Sequence, residues 1–280
     1  MKKIDFIVTL NVKDANPNGD PLAENMPRTD WQGYGEISDV CLKRKIRNRM
    51  QDMGHEIFVK ANDRADDGFN SLEERYHAVF SSKDNDADIV KRANEEWMDI
   101  RAFGQVFTYD KKSIGVRGPV SVSLATSLAP IEITSMQITK SVNGMAKEAG
   151  KRSSDTMGMK HFVRNGIYVF YGSVNSYIAE KTGFSEADAE VLKECLRTLF
   201  ANDASSARPE GSMEVKEIFW FTHSSKLGDV SNAKIRNLLS WKKDLSDEIV
   251  NPSYEDYEIT LDKEAMKKYE GLQVEIVEGM

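Results

Sequence analysis

The alternation of apolar and polar side chains predicts the strands. From Ile4 to Val12 every second residue is apolar, and Asp5 and Thr9 fall on the opposite, polar face. This period of two predicts a strand and not a signal peptide. The apolar and aromatic run at 166–172 predicts a central strand, because both faces of such a strand are buried. Further strands are predicted at 120–124, 131–138, 213–221, 257–261 and 272–278.

Helices are predicted where apolar residues recur every three or four positions. One begins at Ser38 or Asp39, which both suit a helix cap, and ends near Met53. Ser185 and Asp188 have the spacing of a capping box, which begins a second amphipathic helix. Shorter helical patterns lie at 72–80, 89–103 and 233–241.

These elements predict the α+β class, with an antiparallel sheet and helices on one face, in a single domain over residues 1–280. Residues 61–110 are polar and acidic, and we expect them to form an insertion outside the main core. Residues 140–166 are rich in Gly, Ser, Met and basic side chains and have no clear period. They are expected to form a long hairpin or a mobile arm.

The charge of the chain is unevenly distributed. A net charge of -7 argues against a simple nucleic-acid binder. Residues 61–110 carry 6 Lys and Arg against 12 Asp and Glu, whereas residues 111–165 carry 9 against 3. Because local potential decides where a polyanion binds, nucleic acid stays a candidate ligand.

Cysteine usage and hydropathy indicate the compartment. Cys41 and Cys195 are too few for a disulfide framework, and we expect buried thiols in a reducing environment. No apolar run reaches membrane-spanning length, so we expect a cytoplasmic protein without a membrane partner.

The loop at 14–25 contains a partial calcium-loop pattern. Asp14, Asn16 and Asn18 occupy its first, third and fifth positions. The twelfth position is Asn25, where a bidentate Glu is needed, and a strand rather than a helix precedes the loop. Two prolines also stiffen it, so we interpret the loop as a tight turn and expect no metal there.

Cations are concentrated on the first predicted helix. Lys43, Arg44 and Arg47 lie within one turn of each other, which suits contact with successive phosphates. A solvated helix face is the alternative. Arg28 lies in the stiff loop, where its partner is either a phosphate or a carboxylate such as Asp30 or Asp39.

Other candidate phosphate contacts lie later in the chain. Arg117 lies in GVRGPV, which is either a glycine-bracketed turn or a place where a ligand backbone approaches closely. The remaining RNA-binding candidates are Lys140 and Lys160 in the arm and Arg208 in SSARPEG.

The segments NPNGDP, MPRTD and GEISDVCLKRKIRNRM closely resemble the backbone subunit of CRISPR Cascade complexes in its type I-C form, a member of the RAMP superfamily. The resemblance continues through GVRGPV, SSDTMGMKHF and ASSARPEGSMEV, and it is weaker in the acidic insertion and the C-terminal quarter. It implies a modified RRM (ferredoxin-like) palm, with a fingers insertion at 61–110 and a thumb hairpin at 136–165.

The resemblance also implies a function. Copies would stack along a CRISPR RNA (crRNA), hold its phosphates, and leave the guide free to pair with target DNA. The implied partners are crRNA, further copies of this chain, the large subunit and the crRNA-end-capping subunit, with no cofactor and no catalysis. The aromatic signature of ordinary RNA-recognition modules is missing, so backbone contacts are expected instead of stacking on the sheet. The alternative is a metal-dependent ribonuclease of the same superfamily that uses Asp20 or Asp14.

Overall fold

A computed structural model of the protein describes residues 1–140, 157–245 and 251–280. The strands are β1 (Ile4–Ala15), β2 (Gly19–Asp20), β3 (Met26–Pro27), β4 (Tyr34–Ile37), β5 (Gly104–Phe107), β6 (Ile114–Arg117), β7 (Val120–Val122), β8 (Ala125–Pro130), β9 (Ile133–Thr139), β10 (Met157–Val174), β11 (Met213–Thr222), β12 (Leu239–Ser240), β13 (Thr260–Leu261) and β14 (Gln273–Glu278). The helices are α1 (Asp39–Asp52), α2 (Leu72–Val79), α3 (Asp86–Glu96), α4 (Met98–Phe103), α5 (Ser176–Thr182), α6 (Glu186–Arg197), α7 (Asn232–Arg236) and α8 (Lys263–Met266).

The largest sheet is antiparallel and has β1 and β10 at its centre. Its order is β14–β11–β1–β10–β8–β4, and β7 and β9 also pair with β10. In this register Val8 lies between Phe170 of β10 and Ile218 of β11. The mixed α/β architecture with a large antiparallel sheet is therefore confirmed, as is the central strand predicted at 166–172.

Helices α1 and α6 cover one face of this sheet. Their apolar stripes pack against alternate residues of β1 and β10, including Phe6, Val8 and Phe170. The caps are those that the sequence predicts: Ser38 caps α1, and Ser185 forms the capping box of α6 with Asp188. Hydrophobic burial along both helices fixes the direction in which their polar faces point.

The opposite face of the sheet is covered by C-terminal residues. Ile7, Val169 and Phe219 pack there with other buried side chains, which include Ile235, Leu238, Leu239 and Tyr257. Asp5 and Thr9 are buried beneath this layer and are hydrogen-bonded instead of facing water. The polar side of β1 is thus internal.

The helix predicted at 233–241 is wrong beyond its first turn. α7 ends at Arg236, and Leu239 and Ser240 form β12, which pairs with Leu261 and Thr260 of β13. Pairing with a distant strand and burial of Leu239 override the local helical pattern. The strand predicted at 257–261 is likewise reduced to the two residues of β13.

Residues 58–116 have a separate hydrophobic core, formed by Phe58, Tyr76, Phe80, Ile89, Ala93, Trp97, Ile100, Phe107, Ile114 and Val116. The helix predicted at 89–103 is broken at Trp97, which has extended backbone angles (φ -117°, ψ 118°). The ring of Trp97 packs 4.7 Å from that of Phe58 and 5.8 Å from that of Phe80. Burying this ring between its neighbours accounts for the break.

Strand β9 and the start of β10 pair at one end of the sheet, where most of β9 is exposed. The register of this β9–β10 hairpin runs from the Ile133–Val163 pair to the Thr139–Met157 pair. The middle of the predicted thumb, residues 141–156, lies outside the described residues.

Within the described ranges, no helix is both long and apolar enough to cross a lipid bilayer. Neither cysteine forms a disulfide. Burial raises the pKa of the Cys195 thiol to about 12, and burial also raises the pKa of Cys41. Cys195 is buried as expected, whereas Cys41 is only partly buried.

Candidate nucleic-acid interface

Arg47 of α1 is bound to the insertion. Its Nε donates to Asp99 Oδ2 at 3.0 Å, and its guanidinium lies 5.0 Å from the centre of the Phe103 ring. Asp99 is fully buried and also accepts hydrogen bonds from the backbone N–H groups of Phe58 (2.7 Å) and Val59 (3.1 Å). Arg47 therefore joins α1 to residues 58–116 by a buried ion pair.

Arg44 and Lys45 also have partners within the protein. Arg44 Nη1 donates to the carbonyl oxygen of Val59 at 2.6 Å. Burial, together with the neighbouring charge of Arg47, lowers the pKa of Arg44. Lys45 is buried and paired with Asp203. The predicted row of phosphate contacts on α1 is thus occupied by protein groups, and Lys43 differs only in that the side chain of its partner, Asp39, is exposed.

Lys43 and Arg117 line the same cleft, which has a volume of about 560 Å³. The cleft lies between α1, the turn from β6 to β7, the end of β10 and the loop after β11. Two further cations, Lys3 and Lys226, line it, and no Asp or Glu is among its described lining residues. Cations on one concave surface attract a polyanion to the extent that neighbouring carboxylates do not neutralise them.

The cations of the cleft differ in their partners. Three have a carboxylate outside the lining: the pairs are Lys3–Asp5 (3.2 Å), Lys43–Asp39 (3.0 Å) and Lys226–Glu180. The side chain of Arg117 is exposed and has no hydrogen-bond or ion-pair partner among the residues that the structure describes. A guanidinium in this state is available for a phosphate.

The close approach expected in GVRGPV occurs within the protein itself. A Cβ on Gly118 would lie 2.3 Å from the carbonyl oxygen of Ala102 and 2.5 Å from the backbone nitrogen of Gly104. Gly118 therefore allows the turn to pack against the end of α4. This packing fixes the backbone beside Arg117 at the edge of the cleft.

The loop after β11 is anchored against β1 by a buried histidine. His223 Nδ1 accepts a hydrogen bond from the backbone N–H of Asp229 at 2.8 Å. The proton of the neutral ring is therefore on Nε2, which donates to Asp5 Oδ2 at 2.7 Å. Asn232 Nδ2 donates to the other oxygen of Asp5 at 2.6 Å. This network holds the loop that carries Lys226.

The stiff loop after β1 is a compact turn stabilised by its own side chains. Asn16 Nδ2 donates to the carbonyl oxygen of Asn25 at 2.7 Å. Asn18 Oδ1 accepts from the backbone N–H (2.9 Å) and the hydroxyl (2.8 Å) of Ser38. These contacts connect the turn to the start of α1 and account for its residue types without a metal.

Arg28 in this turn is 38% exposed at its side chain, and its Nη2 lies 3.3 Å from Asp20 Oδ1. The carboxylate partner is thus Asp20 and not Asp30 or Asp39, as considered from the sequence. At this exposure the ion pair is weak enough for a phosphate to compete with it.

Arg208 lies near Lys45 of α1, because both side chains pair with Asp203. Its Nε donates to Asp203 Oδ2 at 3.1 Å, and Asp203 is shared with Lys45. The charges of Lys45, Arg208 and Arg28 all oppose the upward shift that burial causes in the pKa of Cys41. Arg28 and Arg208 therefore both lie near Cys41, and each has a carboxylate partner, Asp20 or Asp203.

Lys140 and Lys160 lie on the hairpin. Lys140 is exposed at the end of β9, and Lys160 is partly buried opposite Met136 in the β9–β10 register. Neither lines the cleft. The predicted residues are therefore distributed over the cleft, the turn, the hairpin and the contact between α1 and the insertion.

Sequence reasoning missed three residues that line the cleft: Lys3, Tyr177 and Lys226. They are far apart in the chain, and each is an ordinary surface residue in its local context. Their common position results from the pairing of β1, β10 and β11.

The two carboxylates considered for a ribonuclease are both in ion pairs. Asp14 Oδ1 lies 2.8 Å from Arg164 Nη1, and Asp20 lies beside Arg28. Within the described parts of the chain, no three His, Cys, Asp or Glu side chains are grouped closely enough to hold a metal ion.

Known proteins resemble this chain in sequence and in fold. A protein from Haloferax volcanii, described as CRISPR-associated protein Cas7, is 27% identical over an alignment of 227 residues, which covers 71% of this chain and 64% of the relative. The chain therefore spans about 64% of that relative's length. A chain in a solved CRISPR RNA-guided surveillance complex matches with a TM-score of 0.53 at 15% identity, covering 99% of this chain and 88% of the other.

A chain from a second solved complex, described as a CRISPR RNA-guided surveillance complex, pre-nicking, has a TM-score of 0.49 at 16% identity and covers 78% of this chain and 75% of the other. At 15% identity, the likeness with the TM-score of 0.53 establishes a common fold. Residues 2–262 match the sequence profile of the family described as CRISPR-associated protein Cas7. Since this match covers most of the chain, the protein belongs to the Cas7 family.

Proposed function

We propose that the protein is the non-catalytic backbone subunit of a type I-C CRISPR surveillance complex, Cascade. Copies bind side by side along crRNA, hold its phosphates, and present its bases for pairing with target DNA in antiviral defence. The partners in this proposal are crRNA, other copies, the large subunit and the crRNA-end-capping subunit. The observation that carries it is a cleft with four cations and no carboxylate among its described lining residues, in a member of the Cas7 family.

The strand order supports a ferredoxin-like palm. Of the four strands in the order β11–β1–β10–β8, β1 comes first along the chain and β11 comes last, and these two are neighbours. Helices α1 and α6 both pack on one face of the sheet. In ordinary RNA-recognition modules bases stack on the other face, but here C-terminal residues bury it. RNA is therefore expected at the edges of the palm, near the cleft and the turn. The insertion corresponds to fingers and the β9–β10 hairpin to the thumb.

Phosphate contacts explain how such a subunit accepts any guide sequence. Cations that bind the sugar-phosphate chain carry no sequence information, and they leave base edges free for Watson–Crick pairing. Lys43 and Arg117 in the cleft, Arg28 and Arg208 beside the turn, and Lys160 on the hairpin are the contacts proposed from this arrangement.

Co-expression of the chain with a guide RNA and its sister subunits tests this proposal. The purified complex is expected to contain RNA, measured by its ultraviolet absorbance ratio, and several copies of the chain, measured by native mass spectrometry. A nucleic-acid-free monomer from the same preparation would contradict the proposal. Co-expression without a guide is the control, and it should yield no defined multimer.

A further inference from the structure

Tyr177 presents an aromatic ring at the basic cleft. It lies in the first turn of α5, is 52% exposed, and lines the cleft together with Lys43 and Arg117. Its backbone N–H donates to Asn175 Oδ1 at 3.0 Å, so the backbone below the ring is fixed. Aromatic side chains usually bury most of their large apolar surface. An exposed ring next to cations is instead the arrangement found where proteins bind single-stranded nucleic acid.

Lys226 is held beside the same helix. The buried hydroxyl of Ser176 donates to the carbonyl oxygen of Lys226 at 2.7 Å, and the Lys226 ammonium pairs with Glu180 one turn further along α5. The buried hydrogen bond between His223 and Asp5 anchors the start of the loop that carries Lys226. The position of Lys226 relative to Tyr177 is therefore set before any ligand binds, which reduces the entropic cost of binding.

We propose that this cleft binds one nucleotide unit of the single-stranded guide, with its base stacked on Tyr177 and its flanking phosphates bound by Lys226 and Arg117. This inference rests on the proposed function and adds a stacking surface and a cation to it. The cleft volume of about 560 Å³ lies within the range of roughly 300–1,000 Å³ that is usual for small-ligand sites. No carboxylate is among the described lining residues, and Lys226 exchanges Glu180 for the phosphate, because an ion pair this exposed is weak.

Stacking is compatible with a guide of any sequence. Every base has a π-face, so an aromatic ring binds all four bases with little discrimination. The base edge stays free, because the ring contacts the face. The cleft thus adds affinity without restricting which guide is bound.

A pair of substitutions at Tyr177 tests the stacking. Binding of fluorescein-labelled oligouridine to the full-length chain is measured by fluorescence anisotropy. Tyr177→Ala removes the ring and is expected to weaken binding by about five- to one-hundred-fold, whereas Tyr177→Phe retains the ring and is expected to stay within about two-fold of the wild type. Because the ring is half exposed, removing it leaves the core intact.

A matched pair of lysines tests the added cation. Lys226 and Lys242 have side chains that are 50% and 48% exposed, and each has one carboxylate partner, Glu180 or Glu258. Only Lys226 lines the cleft. Lys226→Gln is expected to reduce the slope of log affinity against log salt by about 0.7, the value for one phosphate on a single strand, while Lys242→Gln leaves it unchanged.

The outcomes separate this inference from the function on which it rests. Wild-type affinity in Tyr177→Ala, or an equal loss in Tyr177→Phe, overturns the stacking, while crRNA that still copurifies with the complex leaves the proposed function standing. In the assembled complex, a guide containing thiouridine is expected to crosslink on irradiation to the peptide that contains Tyr177. Crosslinking of this peptide only to a target DNA strand that contains thiothymidine would overturn the assignment to the guide.

Discussion

Arg47 and Lys43 lie one turn apart on the same side of α1, yet their surroundings differ. Arg47 meets Asp99, which is fully buried and has two further hydrogen bonds from the backbone. Lys43 meets Asp39, whose side chain is 43% exposed, and it borders an open cleft. Although the two residues carry the same charge on the same side of the helix, Arg47 joins two parts of the fold and Lys43 is available to a ligand. Burial of the counter-charge makes the difference.

The same distinction separates the insertion from the cleft. In the insertion, Arg75 is buried, bonds both oxygens of Asp67 at 2.6 and 3.0 Å, and donates to the carbonyl oxygen of Phe58 at 2.8 Å. In the cleft, Arg117 has no such partner in the described ranges. Where carboxylates outnumber cations, as in residues 61–110, a buried cation such as Arg75 serves the fold, and where they do not, a cation such as Arg117 remains for a polyanion.

The largest expected effect follows from removing the buried carboxylate. Asp99→Ala leaves the Arg47 guanidinium and two backbone N–H groups without their acceptor. Since an unpaired buried charge is costly, we expect the free energy of unfolding to fall by about 3–5 kcal/mol. Urea denaturation followed by circular dichroism measures this change.

The matched control is the carboxylate of the neighbouring pair. Asp39→Ala removes the partner of Lys43 at an exposed position, so the free energy of unfolding should change by less than about 1 kcal/mol. Similar losses in the two variants would remove the distinction between the two cations of α1.

The next effect concerns affinity for RNA. Lys43→Gln combined with Arg117→Gln removes two cations from the cleft and is expected to reduce the slope of log affinity against log salt by about 1.4, or two phosphate contacts. Affinity for oligouridine measured across a salt series gives this slope. Arg47 is left unchanged, because its replacement would mix a loss of folding with a loss of binding.

Two exposed lysines outside the cleft provide the control. Lys242→Gln combined with Lys267→Gln removes the same charge, and both residues lie away from the cleft lining. An equal slope change in both double variants would mean that net charge, and not the cleft, determines binding.

The elements that the sequence predicts well are those whose pattern is local. The alternation in β1, the stripe of α1 and the capping box at Ser185 are all confirmed. The break at Trp97 and the short α7 are not predictable in this way, because distant side chains determine them. The burial of Asp5 likewise depends on His223, which lies just after β11 and is far from Asp5 in the chain.

The candidate site is likewise predictable from the sequence only where a local pattern determines it. Arg47 and Asp99 are 52 positions apart, so no window around α1 shows that Arg47 has a partner. Lys43 and Arg117 are identified by composition and by resemblance, and the structure places them in one cleft. Tyr177 has no motif, and its position beside them results from tertiary structure alone. The resemblance is confirmed at the level of the Cas7 family, and the type I-C form stays a prediction.

The smallest expected effect is the loss of stability in acid that results from protonation of Asp67, the partner of the buried cation Arg75. The hydrogen bond from Arg75 lowers the pKa of Asp67 from 3.8 to about 2. Because the folded-state pKa is the lower one, the pair stabilises the fold above pH 3.8, and this contribution, about 1 kcal/mol, is lost as the pH falls toward 2. Urea midpoints measured across this range should therefore fall less steeply in Asp67→Asn than in the wild type. Lys43→Gln should keep the wild-type slope, since the exposed pair of Lys43 contributes little. The result would be contradictory if the urea midpoint fell less steeply in Lys43→Gln, or if it fell as steeply in Asp67→Asn as in the wild type. The exposed pair of Lys43 and the buried pair of Arg75 would then contribute alike, against the distinction between Lys43 and Arg47.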